Sequence, residues 1–272
     1  MIEAGAIERI DSLQNALKSR YPDDVRKAIE RNTILSDPAF SLWSEGKYSC
    51  FYAPFDWINE QADIVLIGIT PGKQQAEAAL IELQRQLKKG VSAEEAARSA
   101  KLEASFKGTM RTIASQLMDH FGFQKVFGVA SCGELFTRSI HRAHFTSVLR
   151  YPVLETGKQG WKDFNGDEKI MSRSPLRKMI DDIFVPEIKR FPKAWLVPFG
   201  PTPAVVLEAL GERGIIDIGR VLPGLNHPAG TQWNRHNCQL DLVDHRECAP
   251  NVGCSTIQER SKQLREKIAS LV

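Results

Sequence analysis

Residues 63–72 read DIVLIGITPG, an unbroken apolar run that stops at Thr70-Pro71-Gly72. A short continuous apolar run closed by a turn marks a strand buried on both faces. Three later segments repeat the pattern. AHFTSVL at 143–149 runs into Arg150-Tyr151-Pro152, AWLVP at 194–198 into Phe199-Gly200-Pro201, and 220–222 into Gly224-Leu225-Asn226-His227-Pro228. Helical spacing fills the intervals, at 74–88, 92–104, 109–120, 175–190 and 203–211, and again over roughly 256–270. Upstream, Ile7, Ile10, Leu13 and Leu17 share one face of a helix over 6–20, and Asp23-Asp24 caps a short helix through Ile29. Residues 33–60, rich in aromatics and turn formers, read as an irregular arm. Strands alternating with helices predict an α/β fold with a parallel sheet covered on both faces. In such sheets ligands bind outside the carboxyl ends of the strands. The Pro/Gly-rich segments all follow strands, so they should gather on one edge of one domain.

The chain has 272 residues, 36 Lys+Arg against 33 Asp+Glu, and a net charge of +3 with histidines neutral. At 42% hydrophobic and 25% charged it is a globular composition, which excludes disordered and fibrous classes. A charge of +3 permits a local basic face without demonstrating one. The first ten residues, MIEAGAIERI, contain acids and no apolar signal core, and no apolar run is long enough to span a bilayer. The expectation is a cytoplasmic protein with no membrane partner. Cys50, Cys132, Cys238, Cys248 and Cys254 are an odd number without regular spacing. Cys238, His245, Cys248 and Cys254 cluster in sequence, but without a C-x2-C pair no metal is expected.

Gly68-Ile69-Thr70-Pro71-Gly72-Lys73-Gln74 has the outline of a nucleotide phosphate loop and fails on detail. Three residues separate its glycines where four are needed, and Gln74 stands where a Ser or Thr would hold magnesium. Pro71 also removes a backbone donor. Taken alone, the segment is a tight turn into a helix.

The order IVLIGITPG, SFKG, HFTSVLRYP, PKAWLVPFGPTPAVVLEAL, VLPGLNHPAG resembles the uracil-DNA glycosylase superfamily, in layout nearest its thermostable bacterial and archaeal branch. The resemblance covers residues 60–235 and leaves an N-terminal helical arm (1–59) and a C-terminal helical tail (236–272) outside it. It implies a three-layer α/β/α sandwich around a four-stranded parallel sheet. The implied activity is hydrolysis of the N-glycosidic bond of uracil or a related damaged base in DNA, by a monomer without cofactor or metal. Such an enzyme flips the base into a pocket and stabilises negative charge on it as it departs.

Carried over by motif, His227 donates to the base carbonyl, with Asn226 beside it, and Phe106 of Ser105-Phe106-Lys107-Gly108 stacks on the base. A core phenylalanine is the equal alternative for Phe106. Thr70 stands where many members carry the Asp or Asn that holds the water, and Ile69 where the thermostable branch has Glu. A threonine hydroxyl can hold a water but is a poor proton acceptor. Ser147 replaces the asparagine that reads the uracil edge, and serine offers no bidentate amide. Tyr151 replaces a cluster cysteine, so no iron–sulfur group is expected. The loop 228–235 matches the family's minor-groove wedge, with Gly230, Trp233 and Arg235 at the DNA. Trp233 as an anchor in the core is as consistent with the sequence. Lys73, Lys107 and Arg150 are candidate phosphate contacts. Arg260, Lys262, Arg265 and Lys267, interleaved with Glu259 and Glu266, make a solvated helix face. Two rivals follow from the departures: a damaged-base binder of the same fold without turnover, and an unrelated α/β enzyme of free nucleosides or nucleotides.

Overall fold

The computed structural model describes every residue except Glu3. The first elements are α1 (Ala4–Lys18), α2 (Pro22–Glu30), the strands β1 (Ser41–Glu45), β2 (Tyr48–Phe51) and β3 (Ile64–Gly68), and α3 (Lys73–Lys88). Then come α4 (Ala93–Ala104), α5 (Thr109–His120), α6 (Phe123–Phe127), β4 (Ala143–Ser147), β5 (Val153–Gly157) and β6 (Gly160–Asp163). The remainder is α7 (Ser174–Met179), α8 (Val185–Ile188), β7 (Trp195–Pro198), α9 (Pro201–Glu212), α10 (Trp233–Gln239) and α11 (Cys254–Ala269). The protein is mixed α/β, with one parallel sheet of three strands and one antiparallel sheet of four.

Local chemistry sets the helix starts. Pro22 opens α2 with its ring at the first helical position, and the Asp24 carboxylate accepts the Tyr21 N–H at 3.0 Å. Gly72 precedes α3 and donates its N–H to Gln75 Oε1 at 3.1 Å. Ser92 caps α4 by accepting the Glu95 N–H at 3.3 Å. The helix expected over 175–190 is broken by a π-helical turn at Ile180–Phe184. Pro186 has no N–H for the bond back to Asp182, and the wider turn absorbs that loss.

The chain folds into two compact units, each drawn from three stretches of sequence. The first comprises residues 1–60, 69–105 and 145–187. Its antiparallel sheet, ordered β1-β2-β5-β6, turns the expected irregular arm into regular structure. β2 joins β5 in the register Tyr48↔Glu155, Ser49↔Leu154 and Cys50↔Val153. Its core packs Leu13, Leu17, Phe51, Leu80 and Leu83 from α1, β2 and α3 with Phe40 from the turn before β1.

The second unit comprises 61–68, 106–144 and 188–272. β3 pairs with β7 in parallel, Ile64↔Trp195 through Ile67↔Pro198, and β4 completes the order β4-β3-β7. The fourth strand expected at 220–222 is reduced to one parallel bridge, Leu196↔Val221, with the Leu222 N–H donating to the Leu196 carbonyl at 2.8 Å. Pro223 lacks the next donor and Gly224 turns away at φ +129°, so the ladder stops there. No described helix is long and apolar enough to cross a membrane.

Candidate functional site

In the second unit the segments after the strands converge. The Phe199 N–H donates to the Ile67 carbonyl at 2.9 Å, and the Gly200 N–H to the Leu225 carbonyl at 2.9 Å. Gly200 sits at φ +95°, and a Cβ there would stand 3.3 Å from His227 Cβ, so only glycine lets His227 approach this closely. The ring of Phe106 lies edge-on to Phe199 and Phe136, with centroids 5.3 and 6.0 Å away. Phe106 holds φ +51°, unusual for a bulky residue, so the backbone is bent to place this ring. It is 7% exposed. The 228–235 loop closes on the start of α5, where a Cβ on Gly230 would meet Thr109 Oγ1 at 3.1 Å. Phe106, Gly200, His227 and Gly230 thus form one neighbourhood.

His227 keeps an accessible edge, but protein encloses most of the ring. Burial, with a smaller push from His236, lowers its pKa to about 4. At neutral pH it is an uncharged imidazole, able to donate one hydrogen bond. Its loop is held by neighbours that sequence reading did not assign. The Asn226 N–H donates to Gln239 Oε1 at 2.7 Å, and Asn226 Nδ2 to the Arg235 carbonyl at 2.9 Å. Arg260 donates to Asn226 Oδ1 at 3.1 Å. The Asn226 amide is therefore spent on the loop, and its expected place at the base is corrected to a positioning role. His236 Nε2 lies 2.9 Å from the Ala229 carbonyl, an acceptor only, so Nε2 carries the proton. His236 Nδ1 is buried without a partner among the described residues. Trp233 is 60% exposed, which removes the core-anchor alternative, and Arg235 and Lys107 are exposed as well.

The first unit holds a second cluster, of buried charge. Tyr52 Oη donates to Asp56 Oδ2 at 2.9 Å, and Tyr151 Oη donates to the other carboxylate oxygen. Arg150 Nε donates to Glu187 Oε2 at 2.9 Å, and Lys101 Nζ reaches the Trp57 carbonyl at 2.7 Å and Glu187 Oε1 at 3.8 Å. Burial raises the Asp56 pKa against the two phenol donors and lowers Lys101 to about 8. For Arg150, burial is the largest influence and acts against the charge, but Glu187, Tyr151 and Asp56 together outweigh it, so the guanidinium is held charged. Arg150 is 4% exposed. The expectation that it meets phosphate is corrected, because its guanidinium is engaged inside the unit.

Thr70 belongs to this first unit. Its hydroxyl donates to the Tyr151 carbonyl at 2.9 Å and accepts the Val153 N–H at 3.1 Å, which leaves one acceptor lone pair. Ile69 is buried, and its carbonyl takes the Leu149 N–H at 2.9 Å. Ser147 ends β4 half-buried. Lys73 is half-buried, and its backbone N–H donates to Asp163 Oδ1 at 3.2 Å. The start of α3, where a phosphate loop would hold its anion, is filled by this protein carboxylate. No sequence spacing announced the buried cluster, since its members come from four separated stretches. The nearest signal was a carboxylate, Asp56, set among the aromatics of FYAPFDW.

The molecule so defined is a mixed α/β protein with a neutral, loop-borne histidine packed against Gly200. It is 30% identical over 211 residues to the uncharacterized protein YoxB of Bacillus subtilis (strain 168), an alignment that takes in 76% of this chain and 80% of that one. The chain belongs to the same family as that protein. No family model and no solved structure matches it.

Proposed function

We propose that the chain is a DNA glycosylase of the uracil-DNA glycosylase type, hydrolysing the N-glycosidic bond of uracil or a related damaged base. The observation that carries the reading is His227, an uncharged donor on a post-strand loop, with Gly200 cleared for it. A leaving base gathers negative charge on its carbonyl, and a fixed donor there lowers the barrier without moving a proton. Phe106 lies in the same neighbourhood, and exposed Trp233, Arg235 and Lys107 suit a loop that meets DNA. In this reading the Val221 bridge is the vestige of a fourth strand in a three-layer sandwich, and the protein works as a cytoplasmic monomer. Purified protein should leave alkali-labile abasic sites in uracil-containing oligonucleotides, and His227→Ala should lower that activity by an order of magnitude or more. If stoichiometric protein releases no base from a panel of lesions, the enzymatic reading is lost.

Thr70 favours a second reading. Its hydroxyl is committed to two backbone partners, and the residue is not an acid. A protein that binds the lesion without turnover fits that commitment. Tight binding to lesion DNA without base release selects it, and turnover gained by Thr70→Asp strengthens it.

A further inference from the structure

The last third of the second unit brings together three sulfurs that the proposed glycosylase chemistry does not use. Cys238 lies at the end of α10, Cys248 in the loop beyond it, and Cys254 is the first residue of α11. Their Sγ atoms all lie within 4.8 Å of one another. Cys238 and Cys254 are joined as a disulfide, and Cys248 Sγ stands 2.9 Å from Cys254 Sγ. A disulfide accounts for two of these sulfurs and leaves the third pressed against the pair without a bond. A thiophilic cation accounts for all three.

We propose that, in its reduced form, this cluster is a binding site for a soft divalent cation such as zinc, with Cys238, Cys248 and Cys254 as thiolate ligands. Zinc takes four ligands in a tetrahedron at ~2.1–2.3 Å, and small side-chain rotations bring three sulfurs at this spacing onto one ion. The fourth position is open to water, since among the described residues only these three sulfurs lie within 4.8 Å of one another as ligand atoms. Gln258 Nε2 sits 2.9 Å from His245 Nε2, 3.0 Å from the Cys238 carbonyl and 3.8 Å from Cys238 Sγ, so one amide holds the imidazole beside the cluster. The same His245 Nε2 lies 3.1 Å from Asp241 Oδ1, so that nitrogen is held by protein groups at the rim of the cluster.

The surrounding structure gives the ion a purpose. The segment between α10 and α11 has only short 3-10 turns, and its apolar support is limited to Val252, Ile257 and the cysteines themselves. Leu242 and Val243 on the same segment are exposed. A loop with so small a core gains order from a metal staple. The same segment leads into α11, whose Arg260 bonds Asn226 beside His227. Loading the site therefore steadies the helix that holds the histidine loop.

The electron count is explicit. An external dithiol reduces the Cys238–Cys254 bond with two electrons and two protons, and the cation then displaces the thiol protons to solvent. The test uses the full chain, reduced with a dithiol, freed of the dithiol and given zinc chloride alone. Native mass spectrometry should show one zinc per chain. Cobalt(II) in its place should give the intense absorption of tetrahedral thiolate coordination. Cys248→Ser, which leaves the disulfide pair intact, should weaken zinc binding at least ~10-fold, and His245→Ala should leave the cobalt spectrum unchanged. Cys50→Ser and Cys132→Ser should change neither. Failure of the reduced wild-type chain to retain zinc overturns the site, as does a Cys238–Cys254 bond that the dithiol cannot open. Equal zinc binding by Cys248→Ser overturns the three-sulfur site, and a changed cobalt spectrum in His245→Ala overturns the open fourth position. None of these readouts depends on base release, so the site and the glycosylase reading fail separately.

Discussion

His227 ties the proposed chemistry to pH. An unfolded histidine titrates near 6.5, whereas the folded one has a pKa of about 4. Between these values the unfolded chain binds the extra proton, so this residue's contribution to stability is complete above ~6.5 and is lost as pH falls toward 4. Urea midpoints should therefore drop on acidification from pH 6.5 to 4, and less steeply in His227→Asn. For the same reason base release should show no histidine titration between pH 5 and 8. Glu187 makes a different demand. It compensates Arg150 and faces Lys101 in a site where all three are nearly inaccessible. Glu187→Gln leaves two buried cations short of an anion and should cost ~3–5 kcal/mol in urea unfolding, with a smaller loss when Arg150→Met is added. Sequence could find His227 because Asn-His-Pro follows a strand. It misread Arg150, because a basic residue after a strand looks the same whether its guanidinium faces solvent or a buried glutamate.

Among the elements, the turns are as constrained as the strands. Gly200→Ala meets both an unfavourable φ of +95° and His227 Cβ at 3.3 Å, so it should cost ~1–3 kcal/mol of strain and move the imidazole. Its base release should fall more than its thermal stability explains. The long helices were legible because Leu, Ile and Ala recur on one face, and β3 because five apolar residues end in a turn. The antiparallel sheet was not, since β2 meets β5 across about a hundred residues of chain, Tyr48 against Glu155, and the sequences of β1, β2, β5 and β6 do not alternate cleanly. The strand expected at 220–222 shows the opposite failure. Its residues are apolar enough, but Pro223 and Gly224 decide how far the ladder runs.

For the molecule as a whole, the net charge of +3 limits any electrostatic grip on DNA. Of the four cations proposed for phosphate, Arg150 is engaged internally, which leaves Lys73, Lys107 and Arg235. Each phosphate contact contributes about −0.9 to the slope of log K against log salt on duplex DNA. The measured slope should be no steeper than about −3, and Arg235→Ala should reduce it by about one. A steeper slope would mean that cations other than these three meet the phosphates.

The threading of the chain sets the order in which it can mature during synthesis. The first unit has its full set of residues once Glu187 is made, whereas the second needs the chain through Val272. β3 leaves the ribosome early, yet its partner β7 lies far downstream, at Trp195–Pro198. At ~5–20 residues per second, the edge of β3 that meets β7 waits on the order of ten seconds unpaired, after β4 has already been made. The β3 sequence, IVLIG, is the kind of apolar β-former that aggregates when left exposed. Newborn chains of this protein are thus expected to depend on holdase chaperones in that interval, and slowing translation between the two strands should lower the soluble yield.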